Sequence, residues 1–534
     1  MQYNKRYLDS LSLIRKTLIA IAFFVFGCQM LFSVDIANIL SNLFALIAFV
    51  LSCVIVFSYR NINIGAALSA TVVFLIISAN SLAPMVGTLI EGHPITETLT
   101  VPVETFAHRL IFALCLLFAH YLSRSQSSMY IRLAISQISK KLNTKTTLPA
   151  KSLWVIGAIG LAAILFKFIH LPVLIAKFFE GFTYLMPAPF LMLLHPYYNK
   201  QLIKKQRMWL ILYYAIQIVF SFLFNSRMAM VLPVGIVGAG WILTVITGQT
   251  IVTKESLRKG IIAGIVGLIL LGQFADLSTA ILIERDARYS RTGSEQFTAT
   301  VDRFFDKKAI AEYHDKLIEL EKGTSAETDW QENYVRNPFL ARFIQIKFDD
   351  NCFYRLKAFN ANDFDALREV TIDRILVQLP QPALDLFSIN IDKKQISNFS
   401  IGDKIDELAS GAEVGGFKTG SIPTHAFALF SWWYPFVLIV LYYLIFSIYH
   451  GFFTPFKLRR MAHDIPTLAL LLTFTIYIDV SLDGVDALMG SLIRGVIQRL
   501  LIYAIALWVV KKLKYPIKMA KKTRPVIIPT LKLN

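Results

Sequence analysis

The chain has 534 residues, of which 55% are hydrophobic and 17% charged, and its 54 Lys and Arg against 36 Asp and Glu give a net charge of +18. Soluble domains carry about 25% charged residues and few apolar runs near 20 residues long. A mean hydropathy of +0.55 therefore excludes an ordinary soluble protein and indicates an integral membrane protein. In a membrane protein, an excess of Lys and Arg is first of all an indicator of which segments face the cytoplasm. The positive net charge is therefore not evidence for nucleic-acid binding.

Apolar runs of membrane length predict an all-α polytopic membrane protein with about twelve transmembrane helices. The predicted spans are residues 17–34, 38–58, 62–82, 104–122, 153–170, 182–198, 209–225, 228–248, 261–283, 426–449, 465–482 and 489–510. The sixth span contains Met186-Pro187-Ala188-Pro189, and two prolines in one turn predict a kink or a break. The first run is too long for a signal peptide, which predicts an uncleaved first helix.

The distribution of basic residues predicts the orientation of these spans. With both termini in the cytoplasm, 29 Lys and Arg but only three acidic residues fall in cytoplasmic segments, as the positive-inside rule requires. The layout is then spans one to nine in residues 1–283, a large loop on the outer side at 284–424, spans ten to twelve in residues 425–510, and a basic cytoplasmic tail at 511–534.

The large loop runs for about 140 residues without a membrane-length apolar run, and loops of that length are usually functional. Apolar residues at helical spacing predict helices at 302–322 and 362–379, the second ended by Pro380. Glycine and serine residues predict irregular structure at 402–423. We therefore expect a small, mostly helical cap on the outer membrane surface.

Six ionisable side chains map to the outer halves of predicted spans, where a charge is costly unless it faces a cavity or a partner. They are Arg109, Arg227, Asp276, Asp479, Arg494 and Arg499. Their similar depth predicts a cationic, water-filled chamber open to the outside, in which the two aspartates orient the arginines. The alternative is that the arginines extend to the interface and that the aspartates only stabilise helix packing.

Three arginines follow the ninth span at a spacing of three residues: Arg285, Arg288 and Arg291. If the helix continues outward, this spacing places them on one face. Guanidinium groups suit pyrophosphate because they offer paired hydrogen bonds and a fixed positive charge. The alternative is a solvated helix end, in which the arginines alternate with Glu284 and Asp286.

The far end of the loop supplies two further candidates. Lys418 is a candidate phosphate ligand, and His425, at the start of span ten, is a candidate base for a sugar hydroxyl. The alternative for His425 is a surface or capping residue without a chemical role. The sequence contains no Walker A or Rossmann glycine pattern and no HExxH or CxxC spacing, which predicts chemistry without a metal or a cofactor.

Two short motifs carry a resemblance to a known family. Phe224-Asn225-Ser226-Arg227 resembles the Ser-Arg motif of bacterial O-antigen polymerases and ligases of the Wzy and WaaL type. Residues 424–431 are similar to the His-x-x-x-Leu start of the helix after the large loop in that family. The layout is also similar, with about a dozen helices, cytoplasmic termini and one large periplasmic loop. Ala426 stands where the ligases usually have Asn, which together with the large loop favours a polymerase.

The resemblance implies an enzyme that polymerises oligosaccharide repeat units linked to undecaprenyl pyrophosphate, at the periplasmic face of the bacterial inner membrane. It implies that Arg227 and the arginines at 285, 288 and 291 bind the pyrophosphate, and that His425 acts as a base or an orienting group. The implied partners are the lipid-linked oligosaccharide and the lipid bilayer, with a chain-length regulator and a flippase as further partners.

Several alternatives to a polymerase remain. An O-antigen ligase differs only in its acceptor, which is lipid A-core. Twelve spans also suit a secondary transporter or flippase, although carriers seldom need so large an outer loop and no long cytoplasmic linker divides the chain into halves. Glycosyltransferases that use a monosaccharide phospholipid usually carry paired acids in the first outer loop, where this chain has only Asp35. A receptor or an assembly scaffold is the last alternative.

Overall fold

A computed structural model describes residues 2–166, 178–223, 228–284, 291–313, 330–337, 340–453, 465–481 and 483–513. Within these ranges the protein is all-helical and no β-strand occurs. The α-helices in chain order are α1 (Gln2–Phe32), α2 (Ile36–Val56), α3 (Ile64–Asn80), α4 (Leu82–Glu91), α5 (Pro102–Arg124), α6 (Met129–Leu142), α7 (Ala150–Leu165), α8 (Lys200–Leu223), α9 (Met228–Ile246), α10 (Lys254–Ile283), α11 (Gly293–Phe305), α12 (Ile346–Leu356), α13 (Ala361–Leu376), α14 (Gln381–Leu386), α15 (Lys393–Ile396), α16 (Ile401–Ser410), α17 (Ile422–Phe430), α18 (Tyr434–Phe453), α19 (Thr467–Asp479), α20 (Val485–Gly490) and α21 (Val496–Lys512).

Six helical stretches of the described chain are long and apolar enough to cross a membrane. They are Lys5–Phe32, Ile36–Val56, Ile64–Glu91, Pro102–Arg124, Ile422–Phe453 and Val485–Lys512, and shorter apolar helices occupy Ala150–Leu165, Val231–Ile246 and Thr467–Asp479. These helices are those of a helical membrane protein. The count of twelve crossings and the side on which each loop lies stay predictions.

The sixth predicted span is not a continuous helix. Two 3₁₀ helices, Gly181–Leu185 and Ala188–Leu193, take its place, and the chain turns between them at the first of the two prolines. This broken segment packs on α7, where a Cβ atom at Gly160 would lie 2.2 Å from the backbone nitrogen of Met186. Glycine therefore permits the close approach of the two segments.

Helix α3 lies at the centre of the helical bundle. It packs against α2, α5, α9, α18 and α19, and nearly all of its residues are buried. Ser69 on this helix forms hydrogen bonds with His120 Nδ1 on α5 and His450 Nε2 on α18, each 2.9 Å long. All three side chains are buried, so this polar contact joins three helices and fixes their relative positions.

Helix α21 instead lies at the edge of the bundle. Ile497, Leu501 and Trp508 project from it with 57%, 53% and 59% of their surfaces exposed. Trp432 and Trp433 are also exposed at the start of α18, in the manner of the aromatic belt of a membrane interface. An exposed apolar face along α21 is suited to contact with lipid tails.

The described part of the predicted large loop forms a cap, which we define as residues 330–337 and 340–421. Helix α13 confirms the helix predicted at 362–379. The helix predicted at 302–322 is confirmed only in part. Helix α11 ends at Phe305 and residues 307–313 are again helical, whereas residues 314–329 lie outside the described residues. The irregular structure predicted at 402–423 is wrong for its first part, because Ser400 and Asp403 form a capping box that begins α16.

The cap is fixed to α5 by buried charges. Arg109 on α5 forms a two-pronged ion pair with Asp349 on α12, and its Nη2 lies 2.6 Å from Asp349 Oδ1. The neighbouring Asp350 accepts hydrogen bonds from the backbone N–H groups of Thr100 and Val101, at 2.9 and 2.8 Å. These contacts hold the cap against the ends of the bundle helices, which we call their cap-side ends.

Candidate functional site

A cavity of about 380 Å³ lies where the cap meets the last helices of the chain. Its lining comprises the cap residue Gln378, then Ile478, Asp479, Asp483, Ala487, Gly490, Ser491, Arg494, Gly495, Gln498 and Arg499. Sites for small molecules usually measure about 300–1,000 Å³ and combine apolar walls with a few polar groups. In size and composition this cavity suits a ligand with a compact polar group.

Three of the residues predicted for the outer chamber come together here: Asp479, Arg494 and Arg499. Arg499 forms an ion pair with Asp479, and these side chains are 16% and 23% exposed. Arg494 is exposed, and its Nε donates a hydrogen bond to Gln498 Oε1 at 3.1 Å. The cavity therefore holds one guanidinium whose charge is balanced by a carboxylate and a second that reaches water.

A π-helix, Ser491–Gly495, carries Arg494, and Arg499 follows on α21. It joins α20 to α21 without interruption, and single π-turns inside α-helices are frequent at functional sites. In a regular α-helix, residues five apart differ by about 140° in direction, so Arg494 and Arg499 would point to different sides. Both side chains nevertheless line the cavity.

Asp483 is a cavity residue that the sequence analysis did not identify. It lies in the connection between α19 and α20 and has a φ of 71°, which is rare for a residue other than glycine. The pKa of Asp483 is raised to about 6, chiefly because the surrounding protein displaces water from the carboxylate and next because the Asp486 carboxylate lies nearby. Arg374 opposes this shift. The Asp-Gly pair between two apolar runs was the signal for this turn.

His425 lies close to this turn but is fully enclosed. Its Nδ1 accepts a hydrogen bond from the backbone N–H of Val485 at 3.1 Å, so the neutral ring carries its proton on Nε2. Nε2 lies 2.9 Å from the hydroxyl oxygen of Thr371, whose own proton goes to the carbonyl of Leu367. His425 is 0% exposed and does not line the cavity. This arrangement favours a positioning role over the predicted role as a base.

Two other predicted binding residues are engaged within or beneath the cap. Lys418 forms an ion pair with Asp406, and its Nζ lies 5.9 Å from the centre of the Trp330 ring. Arg109 is 5% exposed and is held by Asp349, as described above. Both side chains stabilise the cap in this structure and neither lines the cavity.

Two more predicted residues lie on the hairpin formed by α10 and α11. Asp276 accepts a hydrogen bond from Lys307 Nζ at 2.6 Å, so its partner among the described residues is a lysine. Arg291 donates to Glu284 Oε2 at 2.6 Å, and Arg303 donates to the other oxygen of the same carboxylate at 2.8 Å. These pairs fix the hairpin, and none of their members lines the cavity.

Three further predicted residues, Arg227, Arg285 and Arg288, lie outside the described residues. The Ser-Arg motif at 224–227 lies outside them as well. Among the residues that the structure does describe, no group of three or more His, Cys, Asp or Glu side chains is placed to hold a metal ion.

The fold and the cavity together define a class: a helical membrane protein with a polar cavity between a helical cap and the ends of its last helices. No protein family, no curated protein and no solved structure matches this chain. Inferences about its function therefore rest on the chemistry of its own residues.

Proposed function

We propose that this protein is a polysaccharide polymerase, which joins oligosaccharide repeat units carried on undecaprenyl pyrophosphate at the outer face of a bacterial inner membrane. The observation that carries the proposal is the cavity in which Arg494 and Arg499 meet Asp479 and Asp483. Guanidinium groups can bind the two phosphates of a pyrophosphate and stabilise the negative charge that develops as it leaves.

The position of the cavity also suits a lipid-linked substrate. Arg494 and Arg499 stand on the same continuous helical stretch as Ile497 and Leu501, which are exposed on the outside of the bundle. A polyprenyl chain can lie against that apolar face while its pyrophosphate reaches the arginines. The cap contributes Gln378 to the cavity wall, on the side from which a glycan would approach.

The proposed reaction is a glycosyl transfer. A hydroxyl oxygen of the acceptor sugar bonds to the anomeric carbon of the donor, and the bond from that carbon to the pyrophosphate oxygen breaks. The leaving undecaprenyl pyrophosphate takes the bonding electron pair, and the hydroxyl proton passes to a base. The arginines assist by stabilising the leaving group, which requires no metal.

The test is the pattern of surface polysaccharide in a strain that lacks the gene. We expect long chains to collapse to a single repeat unit on lipid A-core, while lipid-linked units still reach the periplasm. Loss of all repeats from the core, with long lipid-linked polymer retained, would show a ligase. Accumulation of lipid-linked units on the cytoplasmic face would contradict the proposal and show a flippase.

Complementation with site variants tests the cavity itself. We expect Arg494→Ala and Arg499→Ala to reduce chain extension by at least about 100-fold, since each removes charge stabilisation of the leaving group. The matched control is Arg368→Ala, an exposed cap arginine that pairs with Asp365 and does not line the cavity. Wild-type chain lengths in both cavity variants, at equal protein levels, would exclude this site.

A further inference from the structure

The position of Asp483 is determined from two sides. A Cβ atom at Gly420 would lie 2.7 Å from the Asp483 carbonyl oxygen, so the cap packs directly on this turn. On the other side, the N–H of Val485 is bound by the enclosed ring of His425. Aspartate adopts a left-handed backbone in turns more readily than most residues, so these two contacts hold Asp483 in place at a modest conformational cost.

The charged groups around Asp483 come from every element that encloses it. They are Asp479 on α19, Asp486 on α20, Arg494 on the π-helix, Arg499 on α21, Arg374 on α13 and Glu332 at the start of the cap, with neutral His425 on α17. Asp479 is paired with Arg499, and Asp486 accepts a 2.8 Å hydrogen bond from Arg374. Asp483 has no such ion pair among the described residues: protein surrounds the carboxylate closely, and the residue is accessible from the cavity.

These contacts distinguish Asp483 from the neighbouring carboxylates of Asp479 and Asp486. Asp479 and Asp486 each have a guanidinium against the carboxylate, and Asp486 does not line the cavity. Asp483 instead lines the cavity, and its raised pKa of about 6 lies close to the pH at which a general base works efficiently. It is the carboxylate of the cavity best suited to accept a proton from a bound hydroxyl.

We propose that Asp483 is the general base of the glycosyl transfer, a step that rests on the proposed function. As the acceptor oxygen bonds to the anomeric carbon, its proton passes to the Asp483 carboxylate, and the pyrophosphate leaves with the bonding electron pair toward Arg494 and Arg499. His425 is a positioning residue that holds the turn on which Asp483 stands.

The experiment uses the purified full-length protein with a lipid-linked repeat unit and follows the rate of polymer formation from pH 5 to pH 8. We expect the wild-type rate to rise with pH through about 6 and then level off, because only the carboxylate form accepts a proton. Asp483→Asn should reduce the plateau rate by about 100-fold or more. Asp483→Glu should restore part of the activity together with the pH dependence.

The matched control is Asp385→Asn, which removes an exposed carboxylate of the cap outside the cavity and should leave both rate and pH profile unchanged. An Asp483→Asn protein that polymerises at the wild-type rate would overturn the proposal for Asp483. If that variant fails to fold, a wild-type rate that is flat from pH 5 to pH 8 would overturn it equally.

The outcomes also separate this inference from the proposed function. If Asp483→Asn is active while Arg494→Ala and Arg499→Ala are inactive, the proposed polymerase function is retained and only the role of Asp483 as general base is rejected. If the wild-type protein forms no polymer from the lipid-linked unit, both the proposed function and the proposed role of Asp483 are rejected.

Discussion

Two arginines of similar predicted depth occupy different environments in this protein. Arg109 is buried against Asp349, whereas Arg494 is exposed in the cavity. The sequence predicts their depth from the positions of the apolar runs, and it cannot predict their partners. Asp349 stands 240 residues from Arg109 along the chain and meets it only because the cap folds back onto α5.

The buried pair leads to a prediction about stability. Arg109→Ala removes the cation and leaves the Asp349 carboxylate buried without a countercharge, which costs about 3–5 kcal/mol. Unfolding of the detergent-purified protein by heat or denaturant measures the loss. The matched control is Lys357→Ala, which breaks a half-exposed 2.8 Å pair with Glu104 and should cost about 0–1 kcal/mol. Equal losses in the two variants would show that the buried pair has no special role.

The site residues show where a sequence is informative at this scale. Asp479, Arg494 and Arg499 were predicted to share one layer because charges inside apolar spans are costly, and they do share one cavity. Asp276 was predicted by the same reasoning but pairs with Lys307, since a charge near a helix end can reach a partner on the adjoining segment. Asp483 was missed because it lies between spans, where charge alone is not unusual.

At the scale of elements, the apolar runs predicted the helices well, and the double proline predicted the break between two 3₁₀ helices. Helix α16 was missed because its glycine was given more weight than the capping box of Ser400 and Asp403. The π-helix was not predicted either, since a turn of five residues is too short to alter a hydrophobic pattern read over a whole span.

The contact between α7 and the broken segment gives a prediction for this element. Gly160→Ala places a Cβ atom 2.2 Å from a backbone nitrogen that cannot move aside without shifting the segment, so we expect a loss of about 1–3 kcal/mol or more. Gly238→Ala in α9 is the control, because nothing lies within 4 Å of its added Cβ atom and alanine favours a helix by about 1 kcal/mol. Thermal unfolding compares the two, and a Gly160→Ala protein as stable as the control would contradict the packing described here.

For the whole molecule, the net charge of +18 has its simplest explanation in membrane orientation. Basic residues concentrate in the segments predicted to face the cytoplasm, and the cavity depends on two arginines within a locally mixed set of charges. The net charge is therefore explained by the predicted orientation in the membrane, whereas the proposed chemistry depends on the positions of individual residues in the cavity.

Sidedness can be tested with single cysteines introduced into a variant from which the four native cysteines have been removed. We expect Ser397→Cys, on the exposed surface of the cap, to react with a membrane-impermeant maleimide in cells with an intact inner membrane. Lys259→Cys, near the start of α10, should react only after the membrane is permeabilised. The reverse pattern would invert the topology and place the cavity on the cytoplasmic side.

The cavity lining also has a consequence for biosynthesis. All of its residues lie between positions 378 and 499, and all but Gln378 lie within a single stretch that begins at residue 478. A ribosome therefore completes most of the bundle before it has made the two arginines. A nonsense mutation near codon 480 would leave a nascent chain with most of its helices and none of its proposed chemistry, a product suited to quality-control proteolysis and to tests of dominant-negative inhibition.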